Sequence, residues 1–219
     1  MRTKKNKRST SKPLHLTEKF TRAVDYARQI HVENRKETLV PYMAHLMGVA
    51  ALVMGENGYV DFPITQDMVI AALLHDAVED QGGMNRLCDI RTNFGEDVAR
   101  IVEGCTDSFV EDSENKPPWH ERKRAYLKRL RKEPLDVQLV SAADKLYNAR
   151  AILEDYRLIG DSIFARFKRG REDQLWYFKS LIKAYEASKS NRIVDELKRV
   201  VGELDRISCD GKSAAGTPS

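Results

Sequence analysis

Four ionisable side chains, His75, Asp76, Glu79 and Asp80, interrupt the otherwise apolar stretch Val69 to Asp80, VIAALLHDAVED. Carboxylates rarely enter such surroundings unless they are paired or hold a cation. Read as one helix, the stretch puts His75 on one face with Glu79, and Asp76 on one face with Asp80, because residues four apart are neighbours. Two further residues of suitable type stand in apolar helical runs elsewhere: His45 in PYMAHLMGVA, and Asp144 in LVSAADKLYN with Asn148 one turn beyond. Together His45, His75, Asp76 and Asp144 offer a mixed nitrogen and oxygen set. Such a set suits a first-row divalent ion that keeps positions open for water and substrate. The plain alternative is a helix end whose acids face solvent.

Helical periodicity supplies the elements that must position these residues. Leu16 to His31 reads as an amphipathic helix with Thr17 as N-cap. Glu33 to Val40 breaks the pattern, Pro41 suits the first turn of a second helix, and Asn57-Gly58 stops it. Thr65 can cap the helix that carries His75 to Asp80, and Gly82-Gly83 closes it. Met84 to Phe94 and Gly95 to Thr106 read as two more helices. Glu111 to Pro118 is a long loop, and Trp119 to Arg131 a basic amphipathic helix. Pro134 opens a long helix containing Asp144, and Gly170 to Ser188 and Asn191 to Ile207 form a closing pair. No strand run and no internal repeat stands out. The expected fold class is all-α, a single domain over residues 14–208 between a basic flexible tail (1–13) and a small-residue flexible tail (209–219).

A chain of 219 residues is long enough for one well-buried core. Its formal net charge is +4, yet residues 1–12 alone hold six Lys or Arg and no acid, so the remainder is near neutral and nucleic acid is not an expected partner. Cys88, Cys105 and Cys209 form no framework of pairs, which favours a reducing compartment. With no apolar run of membrane-spanning length and no signal-peptide core, the expected location is cytoplasmic.

The residues also resemble a family. HD phosphohydrolases, all-helical, take their name from a pair such as His75-Asp76, and the hydrolase domain of RelA/SpoT alarmone enzymes and their small stand-alone relatives is closer still. The NRK before PYMAHLMGVA is similar to that family's RK segment before PYIxHPxxVA. AALLHDAVED matches its AALLHDxxED, FGEDVARIVEGCT resembles FGxxVAxLVxGVT, and SAADKLYNARAI resembles LADRLHNMRTL. The resemblance covers roughly Ala27 to Ile159. It implies an HD-type fold, metal ligands at His45, His75, Asp76 and Asp144, and a water-activating or water-orienting pair at Glu79 and Asp80. It places nucleotide-holding positions at Arg35, Lys36 and Asn148. One residue is inserted between Arg35 and His45 relative to the usual spacing, and Ala151 stands where Thr is often found.

The implied activity is metal-dependent removal of the 3′-pyrophosphate from (p)ppGpp-like nucleotides, with Mn²⁺ as the expected ion and Fe²⁺, Zn²⁺ and Co²⁺ as alternatives. Other expectations would be a nucleotidase acting on other nucleotides, or a nucleotide-binding regulator without catalysis. The partner is a small-molecule nucleotide, and self-association is left open. Trp119, His120 and the run ERKRAYLKRLRK either close over a polyphosphate or form a solvated face, the latter being expected. Arg166, Lys168, Arg169 and Arg171 with Trp176 and Tyr177 form a second candidate edge for bases and phosphates. His15 and His31 are read as surface or core histidines.

Overall fold

The computed structural model describes residues 12–109 and 117–214, side chains excepted from 210 onward; the basic N-terminal tail before 12 and most of the loop Glu111 to Pro118 lie outside the described residues. Helices run in the order α1 (Glu18–Ile30), α2 (Tyr42–Met54), α3 (Gln66–Leu74), α4 (Ala77–Asp80), α5 (Gly83–Phe94), α6 (Glu96–Cys105), α7 (Trp119–Leu130), α8 (Leu135–Ile159), α9 (Arg171–Glu186) and α10 (Arg192–Ala214). Among the described residues there is no strand, only an isolated bridge between Asn34 and Pro41. The all-α expectation holds.

Local chemistry explains the boundaries. Thr17 and Thr65 cap α1 and α3, their hydroxyls accepting from Lys19 N and Met68 N at 3.3 Å each. Proline precedes the first residue of α2, α7 and α8 (Pro41, Pro118 and Pro134), where its fixed φ and missing N–H cost nothing. Gly160 ends α8 at φ 61°, a backbone region that favours glycine. Between Gly160 and Arg166 a 3₁₀ segment joins α8 to α9. The last helix continues to Ala214, seven residues past the expected stop at Ile207, so residues 209–214 are helical rather than a tail.

Two helices form the centre. Met68 to Leu74 of α3 are each no more than 2% exposed, so this short helix is enclosed on all sides. The 25-residue α8 packs against α2, α3, α6, α9 and α10, and at about 1.5 Å per residue it spans the domain. Buried Val137, Leu139, Val140, Ala142, Ala143 and Leu146 bracket Asp144. Where α2 crosses α8, Gly48 is required by close approach, because an added Cβ would land in the Tyr147 ring. That ring is edge-on to His45, with centroids 5.0 Å apart. Gly48→Ala is therefore expected to cost about 1–3 kcal/mol by overpacking. Thermal unfolding is the check, and an unchanged Tm would show that Tyr147 moves aside freely.

Candidate metal and nucleotide site

The expected continuous helix from Thr65 to Asp80 is broken, and the break builds the site. His75 Nδ1 donates to the Ala72 carbonyl at 2.8 Å, occupying the acceptor that the Asp76 N–H would use in an unbroken helix. The chain turns at Asp76 (φ −92°, ψ −9°) before α4 begins at Ala77. His75 Nε2 and Asp76 Oδ2 consequently meet at 3.1 Å, although adjacent positions on a regular helix point about 100° apart.

His45 from α2 and Asp144 from α8 close on this turn. His45 Nε2 lies 3.2 Å from His75 Nε2, 3.3 Å from Asp76 Oδ2 and 3.4 Å from Asp144 Oδ1. Asp144 Oδ1 is 3.5 Å from His75 Nε2. Donor atoms of His45, His75 and Asp76 all lie within 4.8 Å of one another. Ligands held at about 2.0–2.2 Å from one ion would be separated by about 3.0–3.5 Å, depending on angle. The observed spacings fit. Donation from Nδ1 to Ala72 also leaves the His75 Nε2 lone pair facing the cluster, the orientation a metal-binding imidazole needs.

Electrostatics agree with a cationic centre. Burial raises the cost of charge on Asp76, but His75 and His45 outweigh it and hold this carboxyl well below its usual range. Asp144 is likewise held low against its own burial, by Lys145 and His75. His75 is pushed up by Asp76 and Asp144 despite burial, whereas burial pulls His45 down. Two low carboxyls facing two imidazoles form a donor set with surplus negative charge, which suits a divalent ion.

Tyr42, three residues before His45, was not singled out from the sequence. Its hydroxyl donates to Asp76 Oδ2 at 2.7 Å and lies 3.3 Å from Asp80 Oδ2. Asp76 and Asp80 thus face one side, as expected, but across a turn. Buried His31 stacks on Tyr42 at 5.0 Å and 9° and holds Glu33 through Nδ1 at 2.8 Å. The spacing of Tyr42 and His45 at i, i+3 was the available signal.

Beside the cluster lies a cavity of about 520 Å³, lined by Arg35, Lys36, Tyr42, Lys145, Asn148 and Tyr177 among others. Asn148 Nδ2 donates to Asp144 Oδ1 at 2.5 Å, and its Oδ1 accepts from Arg35 Nη2 at 2.7 Å. The Arg35 guanidinium lies 5.8 Å from the Tyr42 ring centroid and 6.0 Å from that of Tyr147. Lys36 Nζ reaches the carbonyl of Arg166, whose side chain pairs with Asp155 at 2.7 Å. Ala151 also lines this cavity.

Glu79 lies at the other side of the turn, 3.9 Å from Arg122. Burial, and next the Asp107 carboxylate, push its carboxyl up to about 8. The second candidate edge divides. Arg166 and Tyr177 line the cavity, Arg171 donates to the Ser208 carbonyl, and Trp176 packs against Trp119 and His120. Within the basic run of α7, Arg122 and Lys123 turn inward to Asp107, so this part is not a solvated face.

Among known proteins, the chain is similar to the guanosine-3′,5′-bis(diphosphate) 3′-pyrophosphohydrolase MESH1 of Homo sapiens, 36% identical over 130 residues, 58% of this chain and 66% of that protein. The match thus spans slightly less than two thirds of that relative's length. The Aquifex aeolicus protein named guanosine-3′,5′-bis(diphosphate) 3′-pyrophosphohydrolase is 38% identical over 94 residues, 43% of this chain and 12% of that one. Of solved structures, one described as a metazoan ortholog of SpoT that hydrolyzes ppGpp superposes with a TM-score of 0.66 at 25% identity, covering 87% of this chain and 97% of the other. A Listeria monocytogenes EGD-e crystal structure superposes at 0.61 with 30% identity, covering 73% and 97%. The HD domain family model matches residues 23–174, well over half of the sequence and all of the clustered donors, and the chain belongs to that family.

Proposed function

We propose that this protein is a metal-dependent phosphohydrolase that removes the 3′-pyrophosphate of (p)ppGpp-like nucleotides. The observation that carries it is the direct link from the donor cluster to the basic cavity, in which Asp144 holds Asn148 and Asn148 holds Arg35. Similarity to proteins named for that reaction supports the choice of substrate.

His45, His75, Asp76 and Asp144 would hold the ion, Mn²⁺ in our assignment with Fe²⁺, Zn²⁺ or Co²⁺ as alternatives. When bound, it supplies Lewis-acid charge at the scissile phosphate and makes water a better nucleophile near neutral pH. Arg35 and Lys36 bind the nucleotide, and Asn148 keeps Arg35 in register with Asp144. Tyr42 orients Asp76 and Asp80 by its hydroxyl. In hydrolysis the bond from O3′ to phosphorus breaks and the water oxygen forms the new one. Asp80 takes the proton from that water. Glu79, whose carboxyl is pushed up to about 8 by burial and Asp107, gives its proton to the departing O3′. Products are GDP or GTP and pyrophosphate. Among the described residues no helix is long and apolar enough to cross a membrane.

A substrate phosphorylated on both sides of the ribose is expected to be preferred over one with a 5′-phosphate alone. Arg35→Ala should raise KM about ten- to a hundredfold, since a charge-assisted contact contributes roughly 1.5–3 kcal/mol, with a smaller change in kcat if binding is uniform. The test compares ppGpp, GDP, GMP and a deoxynucleoside monophosphate with both proteins. Equal cleavage of monophosphates, or a silent Arg35→Ala, would favour a general nucleotidase.

A further inference from the structure

Asp107 stands in the connection after α6, outside every motif that the resemblance covers with an assigned role. Its side chain is 4% exposed, and the preceding Thr106 is fixed by its hydroxyl donating to the Val102 carbonyl at 2.9 Å. Helix α7 brings two cations to it: Arg122 Nη1 donates to Oδ1 at 2.6 Å, and Lys123 Nζ donates to Oδ2. Arg129 of the same helix donates to the Thr106 carbonyl, fastening the loop from a second point. Glu79 hydrogen-bonds to this same carboxylate. Arg122 Nη1 also lies 3.9 Å from Glu79 Oε1.

A hydrogen bond between two carboxyl groups needs one proton. Since both cations donate to Asp107, that group is the anion and Glu79 the acid. We infer that Asp107, clamped by Arg122 and Lys123, is a positioning residue that keeps Glu79 protonated and aimed for delivery of that proton. The catalytic part of this inference rests on the proposed hydrolysis. Charged groups facing Glu79 are Asp107 from the loop, Arg122 and Lys123 from α7, and Asp76 from the turn before α4. The charge of Lys145 on α8 acts in turn on Lys123. The net balance matches the direction already given: Asp107 sits down at about 2, held there against burial by Lys123 and Arg122, while Glu79 is raised. Once Glu79 has given up its proton, Arg122 and Lys123 are the cations placed to offset the new charge.

The test is the pH dependence of kcat for the metal-loaded protein on ppGpp, with metal content and circular dichroism recorded for each variant. Wild type should lose activity on an alkaline limb that reports deprotonation of Glu79, whose carboxyl is raised by burial and by Asp107. Asp107→Asn removes the anion that retains the proton, so this limb should move down by about one unit or more, with kcat at the wild-type midpoint falling roughly five- to tenfold. Asp107→Glu keeps the charge and should restore the limb towards wild type. Lys123→Gln removes a cation that favours ionised Glu79 and should move the limb the other way, which also serves if Asp107→Asn does not fold. Limbs that stay in place in both Asp107→Asn and Lys123→Gln would overturn the inference. A readout independent of turnover is the carboxyl ¹³C titration of Glu79 in metal-loaded, substrate-free protein, assigned by Glu79→Gln. If no nucleotide is hydrolysed, the hydrolase reading fails while this titration still decides whether Asp107 holds the proton. An identical Glu79 titration in wild type and folded Asp107→Asn would rule the pairing out.

Discussion

His75→Ala and Asp76→Asn should each release the bound metal and remove nearly all turnover. Each takes one donor from a cluster whose members are 3.1–3.5 Å apart and whose imidazoles are fully or almost fully buried. His75→Ala leaves the Asp76 and Asp144 carboxylates with one imidazole fewer between them, and Asp76→Asn leaves His75 and His45 with Asp144 as their one carboxylate; breaking such a buried set typically costs about 3–5 kcal/mol. Because ligands and ion fold together, lower metal affinity should also appear as a loss of metal-dependent thermal stabilisation. Metal analysis after gel filtration checks this. A variant that keeps stoichiometric metal and full turnover would remove that residue from the coordination set.

Glu79→Gln should separate the two properties. The side chain lies outside the donor cluster, beside Asp107 and Arg122, so the metal should remain bound. On the proposed mechanism, what is lost is the proton of a carboxyl raised to about 8, and general acid catalysis typically contributes about 10² to 10⁴ in rate. The expected result is a kcat lower by that factor with unchanged metal content. A loss smaller than about threefold would return Glu79 to the role of a structural partner of Asp107.

Much of this arrangement was legible in the residues. Acids and imidazoles inside apolar helical runs identify His45, His75, Asp76 and Asp144 because burying such groups without a partner is too costly to be accidental. Threonine and proline placed the starts of α1, α2, α3 and α8, since capping and fixed φ are local properties. The break at His75 was not legible. It depends on an imidazole taking the Ala72 carbonyl, and periodicity carries no information on which group wins an acceptor. Asp107 was missed for a different reason. In sequence it is one acid near a helix end, and its meaning comes only when α7 returns 15 residues later with Arg122. The same fold-back explains why the basic face of α7 read as solvated. The extension of α10 to Ala214 went unseen because residues 209–214 lack apolar spacing to mark a buried face.

The reaction itself is read most directly by supplying ppGpp to the Mn²⁺-loaded protein and resolving the products by anion exchange, before and after stripping the metal and again after its return. GDP and pyrophosphate should appear in equal amounts, cease on stripping, and resume on adding Mn²⁺. Release of orthophosphate instead, turnover that survives complete metal removal, or no turnover by fully loaded protein would contradict the assignment.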